Sequence, residues 1–280
     1  MRVTGSELVG LLPLSSMLDA GKYFLNKQKL SIGVSDAELI HIAVKSMGLD
    51  ELAPFDANKR IIEYLLDDSK SKPLINLKLN SFADETASES PAPGGGSISA
   101  YVGALGISLG TMVANLSASK KGWENRCEEF SLWAEKGQHY KNALINLVDE
   151  DTNAFNKIME AFQFAKSTDD EKVIRKQAIQ TATKYAIEIP FKVMELSLQS
   201  MEVIKAMAAE GNPNSASDAG VGALCARTAI SGAYLNVRIN AGSYDDKNYV
   251  SEILKKGKAI EQKAIVLERE ILILVDKNIG

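Results

Sequence analysis

From about residue 78 to the end of the chain, apolar side chains recur every three or four positions, the period of a helix with one buried face. The clearest case lies between 247 and 278. There Val250, Ile253, Leu254, Ile260, Ala264, Leu267, Ile271 and Leu272 predict one long amphipathic helix with a charged outer face. A capping box, Thr168-x-x-Glu171, opens another long helical stretch, and Pro190 marks a kink or break within it. Between Ser97 and Ser119 the chain carries no charge. Small residues at Ala100, Gly103, Ala104, Gly106, Ser108 and Gly110 predict a central helix packed closely on its neighbours. Its length and Gly106-x-x-x-Gly110 also fit a membrane span, but large aliphatics are few, no second such run occurs, and the start shows no signal-peptide pattern. A buried helix is the better reading, with no membrane partner expected.

The first seventy residues follow a different pattern. Val3 to Leu12 predicts a strand, Leu14 to Gln28 a helix, Ser35-x-x-Glu38 a capping box before a short helix, and Asn58 to Leu66 a further helix. The polar run Asp67 to Pro73 reads as a linker. A lone strand leaves both edges unpaired, so it pairs with another chain or the sequence begins inside a domain. The expected class is mainly α: a short mixed α/β unit over 1–70, a linker over 71–77, and an all-helical domain of long antiparallel helices over 78–280.

Composition narrows the chemistry. A chain of 280 residues can bury a sizeable core in one or two domains, and a charge of −4 with scattered basic residues gives no reason to expect nucleic acid. Cys127 and Cys225 match no metal or redox spacing and suit a reducing cytosol, so a cytoplasmic location is expected. With only His41 and His139, a histidine-based metal site is disfavoured and no metal is expected. Catalysis must lean on carboxylates, amides and backbone.

Three places carry candidate chemistry. In Pro91-Ala92-Pro93-Gly94-Gly95-Gly96-Ser97, two prolines stop any preceding helix. Three glycines then present bare N–H groups at a helix start, suited to an anionic or carbonyl-rich ligand or, equally, to a turn before a tight helix pair. In Leu144 to Phe162, the residues Leu144, Leu147, Val148, Phe155, Ile158, Met159 and Phe162 form an apolar stripe that includes Asp151. Asp149 stands about 160° away around the helix. Asp149 and Glu150 are therefore expected in more polar surroundings and Asp151 partly buried, either as a general acid/base with a raised pKa or as a structural carboxylate at a helix crossing. The turn Gly211-Asn212-Pro213-Asn214-Ser215-Ala216-Ser217-Asp218 precedes a helix on which Asn236 and Asn240 share a face with Gly232. Those amides suit either a heterocycle or bonds across a helix interface.

These motifs, together with Asn115-Leu116-Ser117 and Lys120-Lys121-Gly122, occur over residues 78 to 280 in an order and spacing that closely resembles formimidoyltetrahydrofolate cyclodeaminase, the C-terminal half of the bifunctional formimidoyltransferase-cyclodeaminase. The segment from Arg2 to Asp56 resembles the very end of the formimidoyltransferase half. The region of that half bearing its catalytic histidine has no counterpart here, so transferase activity is expected to be absent. The resemblance implies closure of 5-formimidoyltetrahydrofolate to 5,10-methenyltetrahydrofolate with loss of ammonia, as in histidine breakdown, with Asp151 catalytic and no cofactor beyond the tetrahydrofolate substrate. It places Gly94, Gly95, Gly96, Ser97, Asp149, Asn212, Asp218, Asn236 and Asn240 around the substrate. The glycine-rich helix start, with Lys120 and Lys121, is then the receiver of the folate glutamyl carboxylates, on a substrate expected to be polyglutamylated. It also implies a homodimer or larger homo-oligomer. A methenyltetrahydrofolate cyclohydrolase on the same fold and a non-catalytic helical scaffold are the alternative readings.

Overall fold

The computed structural model describes residues 8–66 and 74–280. The N-terminal unit consists of α1 (Leu14–Lys27), α2 (Asp36–Met47), α3 (Ala57–Arg60) and α4 (Ile62–Leu66). Ser35 caps α2 by accepting the Glu38 N–H, and Gly48 ends it in a left-handed conformation at φ 66°. The helix predicted over Asn58 to Leu66 is split in two, because Ile61 is extended and bridges to Leu12. That bridge, with Leu12 N donating to Arg60 O and Ile62 N to Leu12 O, is all that corresponds to the predicted strand over residues 8–12. Residues 3–7 of the predicted strand and the linker run 67–73 lie outside the described residues. No strand is present among the described residues.

The rest is helical: α5 (Leu79–Thr86), α6 (Gly95–Ala118), α7 (Cys127–Phe162), α8 (Asp169–Glu210), α9 (Ala216–Ala241) and α10 (Lys247–Ile279). From α6 on, each helix runs antiparallel to the next. Helix α6 is the core element, packed against α7, α8 and α9. Its length and apolarity would suffice to cross a membrane, but 61% of its most apolar window is buried inside the protein. The small residues explain how. A Cβ added at Gly106 would sit 2.8 Å from Gly222 O, and one added at Gly222 would sit 2.8 Å from Gly106 O. Helices α6 and α9 thus meet backbone to backbone, which only glycine allows.

The Thr168–Glu171 capping box forms as predicted. Helix α8 then runs unbroken through Pro190, where the pattern predicted a kink or break. Proline has no N–H for the carbonyl four residues earlier, that of Ala186. Asn240 of α9 supplies the missing donor, its Nδ2 reaching Ala186 O at 2.7 Å.

The N-terminal unit docks on α6 and α7 through Ser31, Ile32 and Gly33. Gly33 O accepts from Asn115 Nδ2 (2.8 Å) and Gln138 Nε2 (3.1 Å), and Ile32 N donates to Ser131 Oγ (2.7 Å). Residues 74–77, expected within the linker, instead begin the helical body: Leu74 is buried in its core.

Candidate active site

The antiparallel packing brings the first turn of α6 against the second half of α7 and the last turns of α9. Ser97 is the pivot. Its backbone N–H donates to Asp151 Oδ2 at 2.9 Å, and its buried hydroxyl donates to Val148 O at 2.8 Å, within 3.3 Å of the same Oδ2. Asp151 therefore acts as the N-cap of α6 from across a helix interface, satisfying one of the orphan donors of its first turn. Two influences on its pKa oppose each other. Burial raises it above the ordinary carboxylate value, and the Ser97 hydrogen bonds offset part of that rise. Oδ1 accepts no hydrogen bond among the described residues. It lies over Gly96, where a Cβ would fall 2.1 Å from it. Glycine at that position is what lets the carboxylate approach the helix.

Asp151 faces a cleft of about 170 Å³ lined by Pro91, Ala92, Gly94, Gly95, Thr152, Phe155, Ile158, Ala186, Asn236 and Asn240. The amide orientations follow from their partners. Asn236 Nδ2 donates to Gly232 O (3.0 Å) and Asn240 Nδ2 to Ala186 O, which leaves each Oδ1 as the remaining acceptor. One carboxylate oxygen and two amide oxygens in this cleft are acceptors without a donor among the described residues. A larger depression of about 840 Å³ lies between α7 and α8, lined in part by Lys157, Glu160 and Tyr185. Lys157 and Glu160 are about 120° or more from Asp151 around α7, so it opens on the other side of the helix pair.

Of the residues singled out in the sequence, Gly94, Gly95, Gly96, Ser97, Asp151, Asn236 and Asn240 converge here. The others do not. Asp149 was expected in polar surroundings near the substrate; it is 2% exposed and accepts the N–H groups of Leu74 (2.8 Å) and Ile75 (3.2 Å). The face of α7 that the pattern left polar is covered by the 74–77 turn, and Asp149 anchors that turn. Lys120, Lys121, Asn212 and Asp218 gather at the opposite end of α6. Asn212 N donates to Ser117 Oγ, Lys120 stacks over Trp123, and Asp218 lies in the first turn of α9. A helix of 24 residues spans about 36 Å, and nearly that length separates Lys120 and Lys121 from Asp151.

Several site residues escaped the sequence reading. Thr152, Phe155, Ile158 and Ala186 line the cleft. In the larger depression, Tyr185 donates its hydroxyl to Glu150, and burial together with that carboxylate pushes the phenol pKa up to about 12. The helical period places Phe155 and Ile158 beside Asp151. Nothing local in sequence pairs α7 with α8 at Glu150 and Tyr185.

The fold and cleft define an all-helical protein with a small polar site built around one half-buried carboxylate. A family model described as Formiminotransferase-cyclodeaminase matches residues 78–259, and one described as Formiminotransferase domain matches residues 1–67. The chain belongs to the formiminotransferase-cyclodeaminase family. It is 35% identical over 273 residues to the formimidoyltransferase-cyclodeaminase of Mus musculus, covering 95% of this chain and 50% of that protein. It is 33% identical over 205 residues to the methenyltetrahydrofolate cyclohydrolase of Methylorubrum extorquens, covering 73% of this chain and 99% of that protein. The crystal structure of formiminotetrahydrofolate cyclodeaminase from Thermotoga maritima superposes with a TM-score of 0.65 at 27% identity, over 73% of this chain and 98% of that one. The chain spans about half the length of the curated bifunctional relatives it matches.

Proposed function

We propose that this chain closes 5-formimidoyltetrahydrofolate to 5,10-methenyltetrahydrofolate and releases ammonia. The observation that carries the reading is Asp151: one oxygen held by Ser97, the other open to a cleft that also holds the side-chain oxygens of Asn236 and Asn240. An amidinium is a cation bearing N–H donors, and acceptors are what it requires. In the reaction N10 attacks the formimidoyl carbon to give a tetrahedral carbon bonded to N5, N10 and an amino group. Asp151 takes the proton from N10 and passes it to that amino group. The C–N bond breaks, ammonia leaves, and the remaining charge is shared between N5 and N10. The carboxylate also stabilises this cation throughout. The balance needs no external oxidant, reductant or water. The family resemblance further supports a cytoplasmic homodimer acting in histidine breakdown.

A second reading, cyclohydrolase, is supported by the Methylorubrum extorquens relative. The match of residues 1–67 to the formiminotransferase model favours the deaminase, because the two activities are consecutive steps. The deciding experiment follows methenyltetrahydrofolate absorbance and ammonia together, starting from 5-formimidoyltetrahydrofolate. The expected result is one ammonia per methenyl group formed. Consumption of added methenyltetrahydrofolate without ammonia release supports the cyclohydrolase, and no change from either substrate overturns both enzymatic readings.

A further inference from the structure

The cleft around Asp151 is small for a folate. Its volume of about 170 Å³ is roughly half the lower end of the range typical of small-molecule sites, about 300–1,000 Å³. Most of its walls are fixed. Asp151, Thr152, Phe155 and Ile158 stand on α7, Ala186 on α8, and Asn236 and Asn240 on α9, long helices that share one core. The remaining wall, Pro91, Ala92 and Gly94, adjoins a segment of another kind. Residues 76–93 form a strap with α5 at its middle. No residue of α5 is buried, no side chain caps its first turn, and Leu79 is 72% exposed. A helix of eight residues is marginal by itself. The side-chain hydrogen bonds of Thr86, Ser88 and Ser90 all run to other residues of the strap. Lys78, Asp84, Glu85 and Glu89 make no ion pair among the described residues.

Two feet hold the strap. At its base the N–H groups of Leu74 and Ile75 reach Asp149, and just past its far end the Ser97 N–H reaches Asp151, two residues further along α7. Between them Phe82 ties α5 to the helical body, its ring tilted against that of Tyr101 with the centroids 5.3 Å apart. An apolar cavity of about 170 Å³, lined by Leu77, Leu79, Ile145 and Val148 among others, lies beside this contact. The strap therefore forgoes part of the dispersion attraction that a filled interface gives. Few buried apolar contacts and hydrogen bonds that stay within the segment are what allow local opening at low free-energy cost. Resting on the reading of the cleft above, we infer that residues 76–93 are a lid, which lifts about its two feet to admit the folate and settles back to bring Pro91 and Ala92 against it. The Phe82–Tyr101 pair is its latch. Closure expels water from around Asp151 and so strengthens the attraction between its carboxylate and the amidinium.

The test follows amide hydrogen exchange in the full chain with and without 5-formyltetrahydrofolate, beside turnover of the 5-formimidoyl substrate. In the free protein the amides from Leu79 to Ala92 should exchange far faster than those of α6, while that of Leu74 stays protected by Asp149. If the lid lifts only after the ligand has left, mass action slows exchange by one plus the ratio of free ligand to Kd, about elevenfold at ten times Kd. Phe82→Ala releases the latch, so stopped-flow binding should show faster association and still faster dissociation, with a raised KM. Phe82→Tyr keeps the ring and should match wild type. A strap that the ligand leaves unprotected, or one that already exchanges as slowly as α6 in the free protein, overturns the inference. So do unaltered binding rates in Phe82→Ala. A Phe82→Ala protein that unfolds makes the ring structural and removes the latch, and the wild-type exchange comparison still decides the lid. Protection without methenyl product keeps the lid and removes the reaction. Product without protection does the reverse, and a protein that neither binds nor turns over loses both.

Discussion

At the scale of single residues, Asp149 and Asp151 divide stability from chemistry. Asp151→Asn removes the proton acceptor, and general acid–base catalysis is worth about 10²–10⁴-fold. Its kcat should fall by that order while the fold survives. Asp149→Ala strands the buried N–H of Leu74, at a cost of about 1–3 kcal/mol, and frees the half-buried one of Ile75, so it should lower the melting temperature well before it touches kcat. Paired melting curves and kcat values decide this, and a dead but stable Asp149 variant would reverse the assignment. Burial raises the folded-state pKa of Asp151 above its ordinary 3.8. The fold therefore favours the protonated form, a contribution present in full below pH 3.8 and lost as pH climbs through the raised value. Asp151→Asn should accordingly melt above wild type near neutral pH, with the gap closing toward about pH 4. The glycines should rank in a set order. Gly96→Ala places a Cβ 2.1 Å from Asp151 Oδ1 and should nearly abolish kcat. Gly95→Ala meets Asn236 Nδ2 at 3.2 Å and should raise KM, and Gly94→Ala, with nothing nearer than 3.8 Å, should behave as wild type.

At the scale of elements, Pro190 and Asn240 form one unit although they lie on different helices. Asn240→Leu leaves the buried Ala186 carbonyl without a donor, a loss of about 1–3 kcal/mol. Pro190→Ala restores a backbone N–H to that carbonyl, so in its background Asn240→Leu should cost much less. Thermal unfolding of the four proteins in the cycle gives the coupling, and a value under about 0.5 kcal/mol would mean that the two act independently. This pairing marks a limit of sequence reading. The helices, the capping box at Thr168 and the place of Asp151 on the apolar stripe were legible, since each rests on local spacing. The pattern gave Pro190 as a break because the rescuing amide is distant in sequence. It misjudged Asp149 for a similar reason, since the turn that buries it comes from residues 74–77. Lys120 and Lys121 were grouped with the site by motif order, which carries no information about which end of a long helix a residue occupies.

At the scale of the whole molecule, the boundary between the two units can be placed by truncation. A chain beginning at Leu74 keeps both donors to Asp149 and loses only the docked N-terminal unit. It should remain helical and active, with a lower melting temperature because Asn115, Ser131 and Gln138 lose partners. A chain beginning at Lys78 removes Leu74 and Ile75 and should be markedly less stable than the Leu74 form. Circular dichroism melts of the two truncations make the comparison, and equal stability would place the boundary at 78.

The two oxygens of Asp151 are not equivalent, and this governs how a proton can travel. Ser97 occupies Oδ2, so a proton accepted from one nitrogen has a single oxygen, Oδ1, on which to wait before reaching the next. No relay of several hydrogens moving at once can run through such a group. In mixtures of light and heavy water the rate should then vary linearly with deuterium fraction, as for one hydrogen in flight, and a bowed dependence would mean that a chain of waters carries the proton instead.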